Sequence, residues 1–510
     1  MGYLLGIDAG TTSVKVGVFG EGGTLLAVAA EEYRLSTPAA ERVELDADLY
    51  WRAAVGATRR AIAVAGIEGR DVAALGVSSQ GETVIPVAAD GTPVGPALVW
   101  LDNRAAAEAD ELAARFDAAA VYAATGVPAI NPTWSASKLL WLKRHEPAVF
   151  GRAARFLLVE DLLLHRLTGR FVTEGGVHCT SLLYDIRAHA WWSPMLDALE
   201  LTPARLPELA APGAVIGTLR REAAEELGLT VSTSVVAAGM DQGAGAVGVG
   251  NVGPGIVSES TGGSLTLQAS VDRPDGDRTR LTPVYVHSAP GRYLYCPVCP
   301  TGGMTLTWFR DRFGEAEVAR AAAEGRSAYD LLTDLAATVA PGSDGLTMLP
   351  HLMGAFSPEY EPRARGVWFG FTLAHGKPHF VRAILEAVAF MLRRNIELLA
   401  DAGATAGEIH SHGGGARSAL WCQIKADVCG LPVVTLEGED AAIRGDAMLA
   451  GVAVGAFGTL DEACAAMVAT RSRFLPDPEA RATYEVGYRR YLELFDDLRP
   501  AFAAFGPGEG

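Results

Sequence analysis

Lysine is scarce in this chain of 510 residues: Lys15, Lys138, Lys143, Lys377 and Lys425 are all it has, and the formal net charge is −17. Nucleic acid and anionic membrane surfaces reward clustered positive charge, so neither is expected as a partner. The deficit does not exclude a phosphate ligand, which backbone N–H groups and a bound metal can hold. No apolar run reaches the length of a membrane span. The first eight residues lack a basic segment and soon meet Asp8, so they do not read as a signal peptide. Gly2 invites a myristoylation reading, but Gly6 stands where Ser or Thr is needed. Cysteine is sparse and scattered, at Cys179, Cys296, Cys299, Cys422, Cys429 and Cys464. Cys296 and Cys299 have zinc-like spacing but no second pair or His partner nearby, so plain thiols in a reducing cytoplasm are expected.

What the chain does have is ordinary globular composition, 49% hydrophobic and 20% charged, over a length that allows two or three cores. Residues 3–8 read as a buried strand, 9–13 as a turn, 14–19 as the return strand and 24–30 as a third strand. An antiparallel meander at the start differs from a Rossmann domain, which opens strand–helix–strand. A helix is expected near 47–65, strands near 72–77, 84–87 and 97–100, and mainly helices over 104–197. A strand at 235–238 runs into Gly239-Met240-Asp241-Gln242, and a small-residue helix at 243–249 follows. The opening then recurs in altered form: strand 255–259, a Ser/Thr/Gly turn, strand 264–269. Two hairpins that merely look alike would give the same signal. The reading adopted is two related lobes, residues 1–250 and 251–510, packed around a cleft, with the last helices from about 476.

Chemistry concentrates at the strand ends. Asp8 precedes Gly10, Thr11, Thr12 and Ser13, where a glycine admits an anion closely and hydroxyls and turn N–H groups can hold phosphate. Lys15 adds a charge, and Asp8 is placed to hold hydrated Mg²⁺. Asp241 can take the proton of an alcohol under phosphoryl transfer, with Gln242 bonding a neighbouring hydroxyl. An N-cap role is the other reading of Asp241, and the residue alone does not decide. Ser258 to Gly263 forms a second phosphate turn, and Gly413-Gly414-Gly415 suits close passage of adenine or phosphate.

These pieces, in this order, resemble the FGGY family of carbohydrate kinases, within the actin, hexokinase and heat-shock-chaperone ATPase superfamily. The resemblance runs over residues 3–495 and includes Gly6 to Ser13, Ala97 to Arg104, Gly239 to Gln242, Leu349 to Gly354, His379 to Glu386 and Gly413 to Ser418. It implies an α/β fold of two actin-like, ribonuclease H-like ATPase lobes around a central cleft. It further implies a cytoplasmic, ATP- and Mg²⁺-dependent kinase of a small sugar or polyol, with a homodimer as the family's expectation. Carried over, Asp8 is the metal-associated Asp, and Gly10, Thr11, Thr12, Ser13 and Lys15 belong to the first phosphate loop. Asp241 is the base, Thr261 and Gly262 form the second turn, and Gly303, Gly414 and Gly415 lie near the nucleotide. Glu259 and Ser260 depart from the family's apolar and Gly positions. Arg444 and Asp446 replace an apolar-Gly-Ala run, which places charge near the adenine side.

The acceptor pocket is expected from Gln80, Gly81, Glu82, Trp100, Thr133, Trp134, Asp241 and Gln242. Glycerol kinases resemble Gln80 and Glu82 but carry Arg at Gly81 and Tyr at Thr133, so this pocket has room for four to six carbons. Xylulokinases differ at Gly81-Glu82 and Gln242 but match better around Lys138 and in the second lobe. Glu82 favours a neutral, multiply hydroxylated substrate. A glycerol kinase-like enzyme is the alternative. A non-kinase actin-like ATPase would need no acceptor pocket, and a sugar-sensing regulator would need a DNA-binding helix and a basic face.

Overall fold

A computed structural model describes residues 2–504 apart from Glu21, Arg278 and Glu439. Two mixed sheets organise it. The first comprises β1 (Tyr3–Ala9), β2 (Ser13–Phe19), β3 (Leu25–Glu32), β4 (Val72–Ser79), β5 (Val215–Thr218) and β6 (Ser234–Met240). Its order is β5-β6-β4-β1-β2-β3, with β1–β2–β3 antiparallel and β4 and β6 parallel to β1. The second is built on β7 (Gly255–Thr261), β8 (Leu265–Val271), β9 (Tyr293–Tyr295), β10 (Ala406–His412), β11 (Val433–Leu436) and β12 (Thr470–Phe474). It runs β12-β11-β10-β7-β8-β9 with the same senses, strand for strand. The duplication expected from two similar turns is therefore a repeat of a whole six-strand plan. The expected turn at 20–23 includes Glu21, which lies outside the described residues.

Seven helices matter for the site. α1 (Asp48–Ala65) turns Tyr50, Trp51, Ala54, Ala57 and Ala61 onto the first sheet and stops at Gly66, whose φ of 67° is left-handed. α2 (Val159–Thr168) packs on the same face. α3 (Asp241–Gly248) starts two residues earlier than the sequence implies, so Asp241 is itself the first helical residue and Met240 the cap. The second lobe carries α4 (Lys377–Asp401), α5 (Ala419–Cys429), α6 (Ala441–Ala453) and α7 (Pro478–Ala503). Over 104–197 helices do dominate, with short strands between them, and the strand expected at 97–100 shrinks to Ala97–Leu98. Among the described residues no helix is long and apolar enough to cross a membrane.

α6 decides how the halves meet. It covers the free face of the first sheet, where Ile443, Ala447 and Met448 share a core with Leu4, Ala74, Val236 and Val247. The approach is backbone to backbone. A Cβ on Gly6 would stand 1.9 Å from the Ile443 carbonyl oxygen, and one on Gly248 1.8 Å from that of Ala441. Small residues in α3 and α6 thus pin the floor of the cleft.

Candidate active site

The first turn is held from below. Tyr33 donates its hydroxyl to the Gly10 carbonyl (2.5 Å) and its N–H to that of Thr12 (2.9 Å). Thr11 turns its side chain to the acceptor side of the cleft: its hydroxyl donates to Gln80 Oε1 (3.1 Å) and accepts from Trp100 Nε1 (2.9 Å). Gln80 Nε2 in turn donates to the buried Tyr50 hydroxyl (2.8 Å). Asp8 faces the cleft with Oδ1 unpartnered and shielded from solvent. Burial, then the charge of Asp241, pushes its pKa up to about 7 against the pull of Lys15. Lys15, opposite Asp8 in the β1–β2 register, reaches Asp440 at the start of α6 (2.9 Å).

Asp241 stands where two cavities meet. One, of about 230 Å³, is lined by Asp8, Lys15, Ser260, His412 and the first turn of α6. The other, of about 220 Å³, is lined by Thr11, Gln80, Gly81, Glu82, Trp100 and Tyr285. Asp241, Gln242 and Thr266 line both. Burial, and next the charge of Glu82, raises Asp241 to about 7, while the Gln242 N–H (2.7 Å) pulls the other way. The turn before it is built by Gly239, at φ 87°, whose N–H donates to the fully buried Glu160 (2.8 Å).

In the second lobe, Gly303 and Gly415 pack against the Thr261–Gly262 turn: added Cβ atoms would come within 2.4 Å of the Gly262 carbonyl oxygen and 2.7 Å of Thr261 Cβ. Gly262 and Gly414 keep open space or ordinary contact. The turn's anchor went unread in the sequence. Lys425 and Glu259, both fully buried, form an ion pair at 2.5 Å, and Lys425 Nζ also donates to Thr261 Oγ1 (2.9 Å). Thr261 and Ser411 complete the Glu259 carboxylate. The departure at Glu259 is thus matched by a cation 166 residues away.

On the acceptor side, Glu82 rather than Gly81 is left-handed, with φ 59°. Its carbonyl accepts from Ser135 and from the fully buried Lys138 (3.3 and 3.4 Å). Burial raises the Glu82 carboxyl and lowers the Lys138 ammonium, and each charge opposes that shift in the other. Thr133 and Trp134 are not among the described residues lining either cavity. Thr133 N–H donates to Asn131 and Trp134 Nε1 to Ala129, at the entry to the helix Ser135–His145 that delivers Ser135 and Lys138. The far wall, from the second lobe, is Leu267, Tyr285, Cys296 and Val298.

The model of the FGGY family of carbohydrate kinases, N-terminal domain, matches residues 3–248, and that of its C-terminal domain matches 260–454. The chain belongs to the FGGY family of carbohydrate kinases. The xylulose kinase of Escherichia coli (strain K12) is 30% identical over 98% of this chain and 100% of its own length. The gluconokinase of Bacillus licheniformis is 28% identical over 98% and 96%. The solved xylulose kinase of Lactobacillus acidophilus superposes with a TM-score of 0.89 at 26% identity, covering 99% of this chain and 100% of that one. This protein is a carbohydrate kinase with the two-lobed actin-like fold.

One expectation about this FGGY kinase needs correction. Arg444 and Asp446 do not both add charge on the side beyond the glycine loop. Arg444 lines the small cavity with Gly413, Ala416 and Arg417, and spends its guanidinium on the carbonyls of Gly248 and Glu437. Asp446, two residues on, is fully buried under the first sheet and accepts from the Ser78 hydroxyl (3.0 Å). A helix turns about 100° per residue, so neighbouring charges two apart face different ways.

Proposed function

We propose that this kinase transfers the γ-phosphoryl group of ATP to a hydroxyl of a neutral ketose or polyol of four to six carbons, xylulose or a related compound. The observation that carries this reading is Asp241 at the junction of the two cavities. A donor phosphate on the Asp8 side and an acceptor hydroxyl on the Glu82 side would meet there.

Asp241 accepts the hydroxyl proton as the acceptor oxygen bonds to the γ-phosphorus and the bond to the β,γ-bridging oxygen breaks. Turn N–H groups of residues 10–13 and 261–263 position the phosphates, and Gln242 orients the acceptor. Asp8 fits a Mg²⁺ site: its Oδ1 is buried and unpartnered beside the phosphate cavity. The described residues offer no cluster of three or more His, Cys, Asp or Glu that could hold a metal, which suits an ion held mainly by water and phosphates. When bound, that ion neutralises charge developing on the phosphoryl oxygens.

Charge supports neutrality of the acceptor. Glu82 and Asp241 already line the pocket, and the buried Lys138 is directed at the Glu82 carbonyl. A substrate carboxylate would be a third acid, so the gluconokinase-like alternative is disfavoured. Glycerol underfills a pocket lacking bulk at Gly81. The test is ADP release across pentuloses, pentitols, tetritols, hexuloses, glycerol and gluconate. The expected preference is for a neutral four- to six-carbon compound; gluconate or glycerol as the preferred substrate would overturn it.

A further inference from the structure

Tyr285 is the middle residue of the strand Val284–Val286, which pairs with β9 in the second sheet. The strand is also fastened to the first lobe. Val284 N–H donates to the Gly126 carbonyl (2.9 Å) and Val286 N–H to Cys179 Sγ (2.9 Å). Tyr285 is only 9% exposed, and it lines the acceptor cavity but not the cavity of Asp8 and Lys15. Among the described residues no hydrogen bond reaches its hydroxyl, and the oxygen is not among the unpartnered atoms shielded from solvent. A buried tyrosine usually finds a partner for its O–H. A phenol nine-tenths buried, unpartnered and open at a cavity wall is a donor held for a ligand.

The other groups of that cavity differ in what they can offer. Glu82 and Asp241 carry carboxylates, which accept from substrate hydroxyls. Gln80 and Trp100 each donate to a protein group, Tyr50 and Thr11. Gln242 and Thr266 line both cavities and so stand at the junction. Away from the junction the second-lobe wall is Leu267, Cys296 and Val298, whose side chains offer no strong acceptor, and Tyr285. Burial first, then Cys296 and Glu82, push the phenol pKa up, so the group stays protonated and donates. A substrate hydroxyl could accept that bond, but its own proton would then face a wall without a strong acceptor. A carbonyl oxygen only accepts, and leaves nothing unpaired.

We propose that Tyr285 is a specificity-determining residue of the acceptor site. Its hydroxyl donates to a substrate oxygen remote from the one phosphorylated, and favours the carbonyl of an open-chain ketose there over the hydroxyl of the matching alditol. This rests on the kinase reading above and narrows it from ketose or polyol to ketose.

The test is steady-state kinetics, by ADP release, of the full-length protein and its Tyr285→Phe variant. The substrates are matched pairs: erythrulose and erythritol, xylulose and xylitol, fructose and sorbitol. The wild type should prefer the ketose of the pair it uses best. Tyr285→Phe should lower kcat/KM for that ketose roughly 5- to 150-fold, the range for a buried acceptor left unsatisfied. It should lower the alditol value much less and leave the KM for ATP unchanged. The hydroxyl bonds nothing in the protein, so the thermal midpoint should hold as well. An unchanged ketose kcat/KM in the variant would overturn the assignment and leave the kinase reading standing. Equal loss on ketose and alditol, or a wild-type preference for the alditol, would also overturn it. So would a loss matched by a lower midpoint or a raised KM for ATP, because the hydroxyl would then be serving the fold. A wild type that turns over none of these compounds would overturn the neutral-acceptor reading along with this one.

Discussion

Gln268 Nε2 donates to Gln242 Oε1 over 2.5 Å, across the cleft from the second sheet to the residue after Asp241. Gln268 is itself fixed, since Ser258 donates to its Oε1 (2.9 Å) and Asn251 to its backbone carbonyl (2.9 Å). The amide proposed to orient the acceptor is therefore positioned by the other lobe. Gln268→Leu should raise the acceptor KM several-fold and cost about 1–3 kcal/mol of stability as Ser258 loses its buried acceptor. Steady-state kinetics and thermal unfolding measure both; an unchanged acceptor KM would separate Gln242 from the substrate.

Asp241→Asn should lower kcat by roughly 10²–10⁴, the range for loss of a general base, with ADP affinity little changed. Turnover near that of the wild type would remove Asp241 from the role.

The pH profile follows from what raises Asp241. With its pKa at about 7, the base is protonated on the acid side, so kcat/KM should fall as pH drops below that value. Asp8, also at about 7, adds to the same limb. Since the Glu82 charge raises Asp241, Glu82→Gln should move the acid limb to lower pH, whatever it does to acceptor affinity. A limb that keeps both its position and its two-group steepness would sever the electrostatic link between Glu82 and Asp241.

Gly81→Arg should shift the kcat/KM ratio toward glycerol by roughly 10–200-fold, the scale of a lost pocket contact. A Cβ at this position would stand 2.7 Å from Thr180 Oγ1, and Gly81 is not left-handed. Gly81→Ala therefore has to displace the Thr180 hydroxyl as the Arg variant does, and serves as its control. If both variants keep the parental preference, Gly81 does not set substrate length.

Gly445 meets Ala244 at the crossing of α6 and α3, where an added Cβ would lie 1.9 Å from the Ala244 carbonyl oxygen. Backbone cannot rotate away as a side chain can. Gly445→Ala should therefore destabilise the protein by about 1–3 kcal/mol or more, seen as a lower midpoint in chemical unfolding. A midpoint equal to the wild type would mean the helices separate freely.

Much of the site was legible because it is local. A strand, a Gly/Thr turn and a return strand are encoded within about twenty residues, and so is a strand end that delivers Asp241 to a helix start. Order along the chain then separated an FGGY kinase from any single motif. What tertiary structure alone decided involves partners far apart in sequence. Lys425 neutralises Glu259, Tyr50 and Thr11 hold Gln80, and Asp446 sits beneath Ser78, 368 residues away. A buried charge or amide must find a partner because an unsatisfied one is costly, yet that requirement does not say which partner. The packing of α6 on the first sheet, with Gly6 and Gly248 in close approach to its backbone, seats Asp446 beneath Ser78, while the other two sets are joined by the folding of each lobe on itself.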